Sequence, residues 1–282
     1  MSGERQYARS VEEPQADAPA KPRVDLLDSL LYPLFVLSFL LVLVVFELIE
    51  RVAFAFGGRR ALKRRVIPWM SFWLLQVLKV IGVRVSCRGT AVIDTSLPYI
   101  IVSNHQSLFD IPIIGYFLRD TTPQFIAKTE LGKWIPGTSF SLRNSGDILI
   151  DRSNVGQALK EIVRMGRRLN EENTSAVIFP EGTRARDGKL KHFKPSGLEA
   201  LLKSAPRAKI IPVVIDGSWY LQCRPFGPVA RGIDIHVEIA PAIDPSAYSD
   251  RAQVVEETEK VISSGLARLR AEHGSAGRQS FS

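Results

Sequence analysis

Cysteine is nearly absent. Only Cys87 and Cys223 occur in 282 residues, far apart and without a C-x-x-C pair. That argues against a disulfide framework and makes a reducing compartment the default. The four histidines include no pair at metal-ligand spacing, so neither a zinc site nor any other cofactor is expected. There is no G-x-S-x-G elbow, and neither cysteine stands beside a histidine; a covalent enzyme intermediate therefore has no sequence support. No internal repeat is present. Acidic residues are the scarcer sign, 29 against 37 basic, for a net charge of +8. Such a balance invites nucleic acid, an anionic membrane or anionic substrates. The basic residues of the later part lack interleaved aromatics, which argues against nucleic acid. Charged (23%) and hydrophobic (45%) fractions are those of a globular chain, long enough for one large domain plus an appendage.

Residues 1–27 mix charges with Pro14, Pro19 and Pro22 and read as a disordered leader. It is not a signal peptide, since the apolar run starts late and no small-residue cleavage site follows. Leu30 to Phe46 is uncharged and Leu/Val/Phe-rich, bounded by Asp28 and Glu47, at the lower edge of the roughly 17–25 residues that span a bilayer. A basic stretch (Arg59, Arg60, Lys63, Arg64, Arg65) follows, and then a second apolar helix from about Val66 to Gly82 carrying Trp69 and Trp73. Tryptophans at that spacing suit a membrane interface, and the basic cluster should face the cytoplasm. Three arrangements are open: a transmembrane hairpin, a pair lying in one leaflet, or a buried helical pair. The pair forms a unit over 28–82, and deleting residues 1–60, with the second helix kept, should leave the rim chemistry untouched while making membrane attachment salt-dependent.

From residue 83 the pattern is α/β. Apolar strands at Val83–Arg88, Tyr99–Val102, Phe125–Lys128, Asp147–Ile150, Ala176–Phe179, Lys209–Ile215 and Ile233–Ile239 alternate with helices at Phe109–Leu118, Val155–Asn170, Gly197–Lys203 and Ala252–Arg270. This predicts an α/β domain over 83–271, with a largely parallel sheet flanked by helices, preceded by a two-helix membrane-embedded motif. Residues 272–282 read as a disordered tail.

Ligands of such folds gather where strands end. Ser103–Asp110 leaves the Tyr99–Val102 strand carrying His105 and, one turn on, Asp110. Histidine suits proton removal near neutral pH, and a carboxylate on its other nitrogen fixes the tautomer. Phe179-Pro180-Glu181-Gly182-Thr183-Arg184 closes another strand: a glycine that lets backbone approach a ligand, a hydroxyl, and a bidentate fork for phosphate. Glu181 should orient Arg184 or bind an acceptor hydroxyl. Lys128 with Glu130, and Asp151 with Arg152, follow two further strands, which makes an anion pocket on that rim plausible.

Asn104–Asp110 resembles the N-H-x4-D motif of the lysophospholipid acyltransferases. Ala127–Leu131, Trp134–Pro136, Gly146–Arg152, Phe179–Arg184 and Ile211–Val214 resemble that family's other blocks, in order, over about residues 85 to 220. Two places depart from its pattern: Gly137 follows Pro136 at once, and Arg143-Asn144 stand where an apolar or aromatic pair is common. The resemblance implies a membrane-bound O-acyltransferase that uses acyl-CoA or acyl-carrier protein to acylate 1-acyl-glycerol-3-phosphate, without a cofactor, at the cytoplasmic face of a bacterial inner membrane. It implies His105 as base, Asp110 as its partner, and Lys128, Arg152, Glu181, Gly182, Thr183 and Arg184 around the acceptor's phosphate.

Overall fold

The computed structural model describes residues 22–274 except Thr90, Trp134, Arg152, Pro225 and Phe226. The expected leader up to residue 21, the tail from 275, and the candidate Arg152 lie outside the described residues. Both flanks of the chain are more ordered than their composition suggests. Helix α1 (Leu26–Ala61) begins inside the expected leader, and the last helix runs to Gly274, past the expected tail boundary at 272.

Seven strands form one sheet: β1 (Arg84–Gly89), β2 (Tyr99–Ser103), β3 (Pro123–Lys128), β4 (Ile148–Ile150), β5 (Ser175–Ile178), β6 (Lys209–Asp216) and β7 (Asp234–Ile239). Their order is β1-β7-β6-β2-β5-β3-β4. Every pairing is parallel except β6 with β7. The apolar run of β2 sits at the centre and is buried on both faces, which is why it shows no alternation. Its side chains divide between two cores. Tyr99 and Ile101 join β6 residues Ile211, Val213 and Ile215 on one face. Ile100 and Val102 join Ile210 and Val214 on the other.

The second face is covered by α5 (Val155–Glu172), α6 (Pro195–Ser204) and α7 (Arg251–Gly274). The first is covered by α3 (Asp110–Phe117) and by the N-terminal pair itself. In that pair, α1 breaks at Gly58 (φ 58°), a left-handed position that glycine takes without strain. The chain continues through a π-helical turn (Leu62–Val66) into α2 (Ile67–Val77).

Phe35 of α1 is buried in the first core, with Leu31, Tyr32, Val36, Phe39 and Val42 packed against it. The acidic residues that bound the apolar run are fastenings. Asp28 accepts from Arg231 N and Nε at 3.0 and 2.7 Å, Glu47 from Gly137 N at 2.9 Å, and buried Glu50 from Ser141 Oγ at 2.5 Å. At the far end Lys63 and Arg59 pair with Glu172 at the end of α5. A Cβ on Gly137 would lie 2.6 Å from Leu43 O, so glycine directly after Pro136 lets this loop touch the α1 backbone. Arg143 and Asn144, in α4 (Ser139–Asn144), cap carbonyls of Gly132 and Phe140. The opposite face of α1 is left uncovered: Leu30, Leu34, Leu37, Leu41, Leu48 and Val52 are exposed, as are Trp69 and Trp73 of α2. One helical stretch, Leu26–Ile81, is long and apolar enough to cross a membrane.

Candidate active site

β2 ends at Ser103 and α3 starts at Asp110, so the turn between them lies on the sheet rim where β3, β4, β5 and β6 also end. Asn104 pins this turn. Its side chain donates to Ile215 O at 2.7 Å and accepts from Ile215 N at 2.9 Å, extending the β2–β6 ladder past the strand. Asp110 is wholly buried. Its Oδ2 accepts from His105 Nδ1 at 2.9 Å and from the main-chain N–H of Gln106 and Ser107 at 2.6 and 2.9 Å. Its Oδ1 accepts from Ser218 Oγ at 2.6 Å. Four donors thus converge on one buried carboxylate. With Nδ1 donating to Asp110, His105 has Nε2 free to accept a proton. The imidazole lies against Phe179, ring centroids 4.0 Å apart and nearly parallel, which fixes its plane.

The Glu181–Arg184 loop leaves β5, the neighbour of β2, and is stitched to the histidine. Ala185 N donates to His105 O at 2.7 Å. Glu181 is buried, with its two oxygens accepting from His105 N at 2.6 Å and Lys191 N at 3.0 Å. Burial pushes its carboxyl up to about 7, against these main-chain donors. The carboxylate thus holds the backbone of the histidine and does not reach Arg184. Gly182 has φ 72°. Thr183 Oγ1 accepts from Lys191 Nζ at 3.0 Å. Arg184 Nη1 donates to Gln222 Oε1 at 2.5 Å, and that same oxygen accepts from Leu108 N at 3.1 Å. Lys128 is exposed at the exit of β3, on the same rim but separated from β2 by β5; hydrogen bonds from Ser153 hold the Asp151 carboxyl below its usual range, with the Lys128 charge adding a smaller part.

Residues 84–216 match the family profile named Acyltransferase. Residues 84–216 are an acyltransferase-family domain. The human 1-acyl-sn-glycerol-3-phosphate acyltransferase alpha is 29% identical over 173 residues, covering 60% of this chain and 58% of that protein. The 1-acyl-sn-glycerol-3-phosphate acyltransferase of Haemophilus influenzae is 35% identical over 115 residues, 41% of this chain and 46% of that one. The chain thus spans about half the length of these curated relatives. The crystal structure of the 1-acyl-sn-glycerophosphate (LPA) acyltransferase PlsC from Thermotoga maritima is similar over 87% of this chain and 96% of that one, with a TM-score of 0.68 and 27% identity.

The matched residues end at Asp216, and the turn Ser218–Leu221 with Gln222, just beyond them, completes the site. Sequence reasoning missed Ser218 and Gln222. Their only signal is the left-handed Gly217 (φ 90°), where a Cβ would lie 2.3 Å from Asp234 O. This glycine lets the chain turn sharply out of β6 and back across the rim.

Proposed function

We propose that the protein is a membrane-bound O-acyltransferase that moves a fatty acyl group from a thioester, acyl-CoA or acyl-carrier protein, to the free hydroxyl of 1-acyl-glycerol-3-phosphate, giving phosphatidic acid. The observation that carries this reading is the buried His105–Asp110 pair at a strand end with Nε2 available, in a domain whose relatives bear that name. His105 Nε2 takes the proton of the acceptor hydroxyl as its oxygen attacks the thioester carbonyl. The C–O bond forms, the C–S bond breaks, and the departing thiolate takes the proton back from the imidazolium. Asp110 stabilises that imidazolium. Glu181 acts as a positioning residue through the His105 N–H. Arg184, with Gly182 and Thr183, is assigned the acceptor's phosphate, and Lys128 and Arg152 are assigned the same anion. Holding phosphate and hydroxyl together can supply roughly 7–11 kcal/mol of the barrier reduction.

The membrane partner follows from α1. Its fastened face runs from Asp28 to Glu50 along the α/β domain. A helix held along its length cannot leave the domain to cross a bilayer. The uncovered leucine stripe with Trp69 and Trp73 suits a helix lying in the plane of one leaflet. Of the three arrangements open in the sequence, this one is supported, and the basic turn favours a leaflet on the cytoplasmic side.

Thiol release from acyl-CoA in the presence of lysophosphatidate, compared with lysophospholipids of other head groups and glycerol 3-phosphate, tests the reading. Transfer to none of these acceptors, from acyl-CoA or acyl-carrier protein, would refute it. Arg184→Ala should raise KM for lysophosphatidate by about ten- to a hundredfold, the worth of a charge-assisted contact, while KM for the thioester holds. Gln222→Leu removes the acceptor shared by Leu108 N–H and the Arg184 fork. It should move the lysophosphatidate KM in the same direction by roughly tenfold. Equal losses on a phosphate-free acceptor would mark both residues as structural only.

A further inference from the structure

The rim opposite His105 carries a second cationic site. There a cleft of about 670 Å³ opens between the N-terminal pair and the α/β domain. Arg64, Arg65, Trp69 and Phe72 line it on one side, Tyr116 and Arg119 on the other. Thr122 and Asn173, which precede β3 and the turn into β5, also line it. These positions are at the strand starts, whereas His105 follows the end of β2, so the cleft and the catalytic turn are on different edges of the sheet.

Three features suit the cleft to a phosphate group at a lipid surface. Charge comes first: Arg64 and Arg65 make no ion pair among the described residues, and Asp120 is the one carboxylate among the described lining residues. Arg119 is already oriented, its guanidinium 5.1 Å over the Tyr116 ring and Nη1 donating to Tyr116 O at 2.9 Å. Next, the wall is aromatic. Phe72 meets Trp69 edge-on at 5.9 Å and Tyr116 at 5.7 Å, and Trp69 and Trp73 stay 58% and 48% exposed. Such rings sit where hydrocarbon meets head groups. Finally, Thr122 beside the cleft has φ 49°, whereas the left-handed Asn173 is the ordinary cap that ends α5. For a β-branched threonine this conformation is costly, and such strain gathers at ligand sites.

We propose that this cleft binds the phosphate head group of an anionic phospholipid from the leaflet on which α1 lies, a site separate from that of the acceptor. The proposal rests on the in-plane placement of α1. The arginines hold the diester phosphate, while the acyl chains lie along Trp69, Phe72 and the leucine stripe.

Full-length protein is co-sedimented with phosphatidylcholine vesicles, with and without added phosphatidylglycerol. The wild type should bind both and prefer the anionic ones. Arg64→Ala/Arg65→Ala/Arg119→Ala should lose roughly tenfold or more of that preference, with unchanged binding to neutral vesicles and an unchanged melting temperature. Lys160→Ala/Arg164→Ala/Arg167→Ala removes the same charge from the exposed face of α5 and should lose far less. Equal losses in the two triple variants would reduce the effect to net charge and overturn the site. Arginine-dependent stabilisation by inorganic phosphate, without any lipid preference, would overturn the lipid assignment. No binding to either vesicle would remove the in-plane placement itself, and the site with it.

Discussion

His105→Ala is expected to remove roughly 10²–10⁴-fold of the acyl transfer rate, the usual worth of a positioned general base, while leaving the protein folded. The side chain is buried, stacks on Phe179 and supplies one of the four donors to Asp110, so its loss should cost about 1–3 kcal/mol and lower the melting temperature without unfolding the chain. Asp110→Asn is the harsher change. The amide would offer N–H where Gln106 N, Ser107 N and Ser218 Oγ now donate, so at least one buried donor loses its acceptor. That costs about 1–3 kcal/mol of stability. The amide also favours the wrong tautomer of His105, for a rate loss of roughly 10⁴-fold. Thiol release and thermal melting on the same samples separate the two effects. Wild-type turnover in His105→Ala would remove the proposed mechanism.

Deleting residues 1–60 should unfold the α/β domain as well as free it from lipid. Read as a separate anchor, α1 looks dispensable for chemistry; packed, it is part of the wall. Phe35 and Phe39 lie 6.2 and 5.7 Å from Phe109, the residue before Asp110. Losing one buried phenylalanine costs about 3–5 kcal/mol, and a whole domain is stable by only about 5–15 kcal/mol. Removing Phe35, the residues packed around it and the Asp28–Arg231 pair therefore exceeds what the remainder can lose. Circular dichroism and thermal melting in detergent check this. A truncated chain that melts cooperatively at the full-length temperature would show α1 to be an independent anchor. The graded version is Phe35→Ala, which should destabilise by several kcal/mol and slow transfer through the turn carrying His105.

The strands, the rim and the His105–Asp110 pair were legible in the chain because each rests on local pattern. A buried central strand is a continuous apolar run, and a base with its orienting carboxylate five residues on needs only one turn to meet. Arg184 was legible as a cation at the end of β5, but its partner Gln222 was not. Non-local contacts were not. Glu181 reads as a ligand or a partner for Arg184, yet it holds the His105 and Lys191 main chain, because residues 76 apart in sequence meet where β2 and β5 are neighbours. Ser218 and Gln222 carry no motif; the sharp turn at Gly217 brings them over the rim. The length and apolarity of α1 were plain in the sequence. Its placement was decided by Asp28, Glu47 and Glu50, which as isolated charges mark the ends of a hydrophobic run and in the fold find partners on the domain. Composition sets which residues avoid water, whereas only packing decides whether protein or lipid covers them.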